Sequence, residues 1–161
     1  MKIIYHCYGG AHSSVTAAAI HLGWLPTDRI PTDKMLEALP LFDQQTNKDH
    51  GHIRLLGLDE NQYEIYVTGR RNAALVLENI VLGVTDILKM PRDQIHLVNV
   101  MPYVNWKMVC GGYTSRRLGM IKLGRPIVAT GIRHNYLKIV SLVHRVKMTV
   151  GSETLKDGAG K

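Results

Sequence analysis

The sequence predicts an α/β fold: three layers built on a mostly parallel, Rossmann-like sheet that also holds an antiparallel hairpin. Three observations carry this. A β-rich run from Lys2 to Tyr8 passes through Gly9-Gly10 directly into a stretch with helical apolar spacing. Two further β-rich runs, His52 to Leu58 and Tyr63 to Thr68, flank the polar turn Asp59-Glu60-Asn61-Gln62, as a hairpin does. Helix-like and strand-like segments then alternate, the order that covers a parallel sheet with helices.

Each element follows from its residues. After the first strand, a helix over about Ala11 to Leu22 places Val15, Ala18, Ala19 and Leu22 on one face, and Gly23 stops it. The Pro-punctuated connector from Pro26 to Pro40 has room for one short helix, capped by Thr32 ahead of Met35, Leu36 and Leu39. Asn72 is placed to cap a helix with Val76, Ile80, Val84, Ile87 and Leu88 on one side, ending at Lys89-Met90-Pro91. Gln94 to Val100 reads as a strand, and so does Pro126 to Thr130. Asn135 would cap a last helix from Tyr136 to about Lys147, with Ile139, Leu142, Val143 and Val146 inward. Between those strands, Met101 to Gly124 is too long for a plain turn, and long connections are usually functional or carry a small helix.

The 161 residues suffice for one core and are too few for two ordinary domains. Residues 1–150 are read as a single domain and residues 151–161 as a flexible tail. Apolar residues at 45% and charged residues at 20% exclude disordered, collagen-like and coiled-coil classes. No apolar run approaches the roughly 18 to 20 residues of a membrane span, and Met1 to His6 lacks a signal-peptide core, so the expectation is a cytoplasmic chain without a membrane partner. Cys7 and Cys110 form neither a disulfide framework nor a CxxC pair, which fits free thiols in a reducing compartment.

Charge is unevenly spread. From Gln94 to Ser152 there are nine Lys or Arg and no Asp or Glu, whereas up to Asp93 nine basic residues meet eleven acidic ones. Such a field attracts anions, whether small phosphates, nucleic acid or an acidic protein surface.

The strongest chemical signal is the strand-to-helix turn Cys7-Tyr8-Gly9-Gly10-Ala11-His12-Ser13-Ser14. Glycines let a ligand approach the backbone, first-turn amides point at it, and the hydroxyls of Ser13 and Ser14 add donors. The bland alternative is a tight turn with Ser13 as helix cap. As a phosphate loop of the GxxxxGK[ST] type it fails, because His12 stands where Lys belongs and neither glycine is in place. The spacing of Cys7, Gly10, Ser13 and Ser14 is more similar to the phosphocysteine loop of phosphotransferase-system IIB subunits. A thiolate in such a loop would have a lowered pKa and could be nucleophilic, although a Cys at a strand end is often a small buried hydrophobe. His12 is the candidate acid or base, since its ordinary pKa lies near neutrality.

The second signal is Gly111-Gly112-Tyr113-Thr114-Ser115-Arg116-Arg117. Gly111, Gly112 and Ser115 are candidate anion contacts, and Arg116 and Arg117 a candidate guanidinium clamp, since a planar fork suits carboxylate or phosphate. Cys110 to Arg116 also spells the Cys-x5-Arg of tyrosine phosphatases, but Arg117 occupies the place of the usual Ser or Thr. A metal held by Cys7, His12 and Cys110 lacks close-spaced ligand pairs, so no metal site is expected, and the cofactor is left unknown. Asp59, Glu60 and Glu64, around the hairpin turn, read as solvent contacts.

The segments KIIYHCYGGAHSSVTAAAIHLG, GLDENQYEIYV and GGYTSRRLGMIKLGRPIVATGIR together resemble bacterial proteins grouped as domain of unknown function 3189, found mainly in Firmicutes. The resemblance spans nearly the whole chain and implies one full-length bacterial cytoplasmic domain, with no activity attached. Function is therefore read from the residues. The first expectation is an anion-binding protein of phosphate or nucleotide type, as a phosphoryl- or nucleotide-handling enzyme. The alternative is a non-catalytic protein that binds nucleic acid or an acidic partner through its basic C-terminal half.

Overall fold

Burial on both faces of the first strand decides the layout. In the computed structural model, which describes residues 1–158 apart from the side chains of Asn47, Arg117 and residues 153–158, β1 (Lys2–Cys7) is buried on both faces. Ile3, Tyr5 and Cys7 belong to a large core cluster, while Ile4 belongs to a smaller one on the other face. β1 lies between β3 (Glu64–Gly69) and β4 (Ile95–Asn99) and runs parallel to both. β2 (Arg54–Leu58) pairs antiparallel with β3 at the edge, through an irregularity between Leu55 and Gly57. The sheet order is β2-β3-β1-β4, a mixed α/β arrangement that is mostly parallel with one antiparallel pair.

The large cluster joins β1 to α1 (Ser13–His21) and to α5 (Ile121–Gly158). The smaller one sets Leu77 and Val81 of α3 (Ala74–Ile87) against Ile4, Tyr66, Ile95 and Leu97. The short α2 (Asp33–Glu37) forms where expected, with the Met35 amide donating to Thr32 Oγ1 at 3.3 Å.

Two expectations about the C-terminal part are corrected. The strand over Pro126 to Thr130 does not exist, because those residues lie inside α5, which begins at Ile121. Val128, Ile132, Tyr136 and Ile139 are fully buried along one side of that helix. Burial at about 1.5–3 kcal/mol per side chain outweighs the roughly 3 kcal/mol cost of Pro126 in a helix interior. Asn135 consequently caps nothing; its amide donates to the Tyr103 carbonyl at 2.9 Å. The long connection holds α4 (Trp106–Gly112), capped by Asn105 Oδ1 on the Met108 amide, followed by a π turn over Tyr113–Arg117.

In α3 the inward residues are Leu77, Val81 and Thr85, while Val76, Ile80, Val84, Ile87 and Leu88 are exposed. Its N-cap is Ala73, with no side-chain cap, instead of Asn72. The helix is apolar on two sides, so spacing alone could not say which side turns inward. The expected tail starts at Gly151, which lies within α5, and residues 159–161 are outside the described residues. No described helix is long and apolar enough to cross a membrane.

Candidate functional site

The C-terminal ends of β1, β3 and β4 open on one cavity of about 590 Å³. The turn after β1 gives it Cys7, Tyr8, Gly9, Ala11, His12 and Ser13, and the turn after β3 gives Arg71. Met101 and Val104 come from the segment after β4; Met108, Val109, Gly112, Tyr113 and Arg116 come from α4 and the π turn. Gln45, Thr46 and His50 complete the wall. The two stretches singled out in the sequence, near residues 7–14 and 111–117, therefore face the same space.

The first turn is built around a sulfur atom. The Gly10 amide donates to Cys7 Sγ at 3.1 Å, and Ser14 Oγ lies 3.2 Å from the same atom. Gly10 has φ +68° and backs onto Gly69, the cross-strand partner of Cys7, so closely that any Cβ there would collide with backbone. Its role is to let two turns touch. It stands behind the cavity wall, with its carbonyl accepting from Gln45 Nε2. Ser14 is fully buried on the sulfur.

α1 starts at Ser13 with His12 as N-cap, no side-chain cap bond and no acidic residue in its first turn. A helix start leaves its first amides without intrahelical partners and carries partial positive charge. The Ser13 cap expected as the bland alternative is absent. His12 instead turns its Nε2 to Asp43 Oδ1 at 3.0 Å, with its ring edge-on to Phe42. Gly112 lies against the other ring edge, where a Cβ would come within 3.3 Å of Cε1 and 3.5 Å of Nδ1.

Asp43, which sequence reading missed, organises the site. It is fully buried and has φ 52°. Its carboxylate accepts from His12, from Ser115 Oγ at 2.5 Å and from Arg125 Nε at 3.2 Å. Its carbonyl accepts from Arg116 Nη1. Burial pushes the Asp43 carboxyl up, and the bonds from His12, Ser115 and Arg125 outweigh that, holding it below the usual carboxylate value. The one hint in the sequence was an acidic residue directly after two apolar ones in Leu41-Phe42-Asp43.

The second stretch divides by role. Gly112 and Arg116 line the cavity. Gly111 does not; it is buried against α5, where a Cβ would meet the Val128 amide nitrogen at 2.6 Å. Ser115 spends its hydroxyl on Asp43, and the side chain of Arg117 lies outside the described residues. The Cys-x5-Arg pattern is helix and π turn, with Cys110 exposed, so it forms no phosphate-wrapping loop. Gln45, Arg71 and His50 were not anticipated as wall residues.

Two further expectations change. Asp59 is buried, taking His21 Nε2 at 3.1 Å while His21 Nδ1 meets Tyr5 Oη at 2.7 Å. Glu60 and Glu64 are paired with Lys147 and Lys2. Among the described residues, no cluster of three His, Cys, Asp or Glu is arranged to hold a metal.

A family model described as protein of unknown function (DUF3189) matches residues 2–148. No curated protein and no solved structure matches the chain. The expected resemblance is thus met over all but the two ends, and the chain belongs to the DUF3189 family.

Proposed function

We propose that this chain binds a small anion of phosphate or nucleotide type in the cavity at the strand ends, as a phosphoryl- or nucleotide-handling protein. One observation carries the reading: the amide-rich start of α1 and the Arg116 segment line one cavity. With α3 on one face and α1 and α5 on the other, we read the fold as three-layer and Rossmann-like, and in such open sheets ligands sit beyond the carboxyl ends of the strands. The helix start, Arg71 and Arg116 supply the positive end of the site. No Asp or Glu is among the lining residues, and the buried Asp43 behind Arg116 takes its side-chain hydrogen bonds from His12, Ser115 and Arg125.

His12 suits proton transfer. Asp43 fixes its Nε2, which favours a proton there and leaves Nδ1 as the basic nitrogen. Cys7 suits nucleophilic attack, because the Gly10 amide and the Ser14 hydroxyl are both placed to donate to a thiolate.

The test is ligand stabilisation. Phosphate should raise the melting temperature of the wild type, and Arg116→Lys should cut that rise by more than half, because Lys keeps the charge and loses the fork. Lys138→Ala, on the exposed side of α5, should leave it unchanged. Equal stabilisation of all three proteins would remove the clamp from the reading. Gly10→Val is no test of ligand approach, since it would disrupt the Gly69 contact with or without ligand.

The competing reading, nucleic acid on the basic half, finds less support. Among the described residues, three of its nine cations are engaged by carboxylates of the N-terminal half, Arg125 by Asp43, Arg133 by Asp33 and Lys147 by Glu60, while Arg116 lines the cavity.

A further inference from the structure

One face of the sheet is only half covered. Leu55 of β2 pairs with Tyr66, and Leu58 pairs with Glu64, so both leucines stand on the face that carries Tyr66 and Ile4. Among the described residues, α3 is the helix packed on that face, through Leu77 and Val81 against Ile4, Tyr66, Ile95 and Leu97. Four strands are about 19 Å across and one helix about 10 Å, so a helix lying over β1 leaves the β2 side bare. Leu55 and Leu58 are accordingly 53% and 52% exposed.

The side of α3 next to that gap is apolar as well. Val76, Ile80, Val84 and Ile87 recur at helical spacing in one stripe, with exposures from 47% to 79%. The right-handed sense of a β3-α3-β4 crossover turns this stripe toward β2. Gly83 lies within the stripe with open space around it, which lets a second helix come close. The charged residues of the helix, Glu78 and Asp86, lie off the stripe. With Leu88, Leu55 and Leu58, the stripe exposes on the order of 700 Å² of apolar surface. That exceeds the roughly 300–600 Å² of the largest patch on a typical monomer and approaches the roughly 800 Å² that each partner gives to a stable complex.

We propose that the α3 stripe is the interface of a two-fold dimer, in which α3 of a second copy packs antiparallel against α3 of the first and reaches over the bare β2 side of the sheet. A two-fold interface must match itself, and an uncharged stripe with a glycine near its middle does so. With the axis between Ile80 and Gly83, Val76 of one copy meets Ile87 of the other, and Ile80 fills the space beside Gly83. A charged partner would find no counter-charge in the stripe.

The experiment is sedimentation of the full chain between about 1 and 200 µM, since a dimer is populated by mass action. Wild type should be dimeric at the upper end of that range. Ile80→Asp sets one carboxylate from each copy into the apolar seam and should raise the dissociation constant at least about hundredfold. Its circular dichroism should stay that of wild type, because Ile80 is exposed in the single chain. Gly83→Leu has room in the single chain, yet it should weaken the dimer about tenfold or more by holding the two helices apart. Leu137→Ser, at an exposed side chain of α5, should leave the constant within about twofold. A wild type that stays monomeric throughout the range, a measurement that needs no variant to fold, would overturn the proposal. A dimer that persists unchanged in both Ile80→Asp and Gly83→Leu would overturn the assignment to α3.

Discussion

His6 shows what a single residue's surroundings decide. It is fully buried, its Nδ1 accepts from Arg70 Nε at 3.0 Å, and burial and then the Arg70 charge push its pKa down to about 4. An unfolded histidine titrates near 6.5, so between these values the unfolded chain binds the extra proton and stability rises with pH. The contribution is present above about pH 6.5 and is lost as pH falls toward 4. His21, also lowered mainly by burial, acts in the same direction. Melting temperatures recorded from pH 7 to pH 4 should fall less steeply for His6→Gln than for wild type. Parallel curves would show that His6 is not the titrating group. At this scale the sequence supplied the residue types and could not supply their partners. Cys7, Gly9, His12, Ser13, Gly112 and Arg116 reach one cavity, whereas Gly10, Ser14, Gly111 and Ser115 hold its walls together.

At the scale of elements, legibility followed how strongly one period dominated. β1, α1, α2, the hairpin strands and β4 were readable because one pattern, or one cap, spoke alone. Pro126 to Thr130 carried two signals, a β-branched run and the 3.6 spacing of Val128, Ile132, Tyr136 and Ile139, and only packing against the sheet chose between them. α3 carried two apolar sides. Leu77→Ala, which opens space over Ile4 and Val81, should cost about 2–4 kcal/mol in urea unfolding of the dissociated chain, whereas Ile87→Ser, at a side chain 79% exposed, should stay within about 0.5 kcal/mol. The reverse order would mean that the outer side of α3 is covered within a single chain.

For the whole molecule, charge segregation in the sequence becomes partial charge pairing in space. Lys147 reaches Glu60 at 2.8 Å and Arg133 reaches Asp33 at 3.3 Å, so α5 is tied electrostatically to the acidic N-terminal half. Exposed pairs of this kind add little stability, about 0–1 kcal/mol each, but they remove cations from any polyanion surface. Three of nine being engaged leaves at most six for duplex DNA. The logarithm of DNA affinity against the logarithm of salt should then slope no more steeply than about 5.4 in magnitude, at roughly 0.9 per phosphate. A steeper slope would restore the extended basic surface as the principal site.

The sequence by itself determined the α/β class, the first strand, glycine turn and helix, the hairpin and the family, because these rest on local periodicity and on residues adjacent in the chain. Only the tertiary structure decided the strand order, the continuous α5, and the convergence of His12, Ser115 and Arg125 on Asp43. The physical reason is separation along the chain. Asp43 meets Arg125 across 82 residues, and no local spacing encodes a contact that forms only when two helices and a connecting segment pack over the end of one sheet.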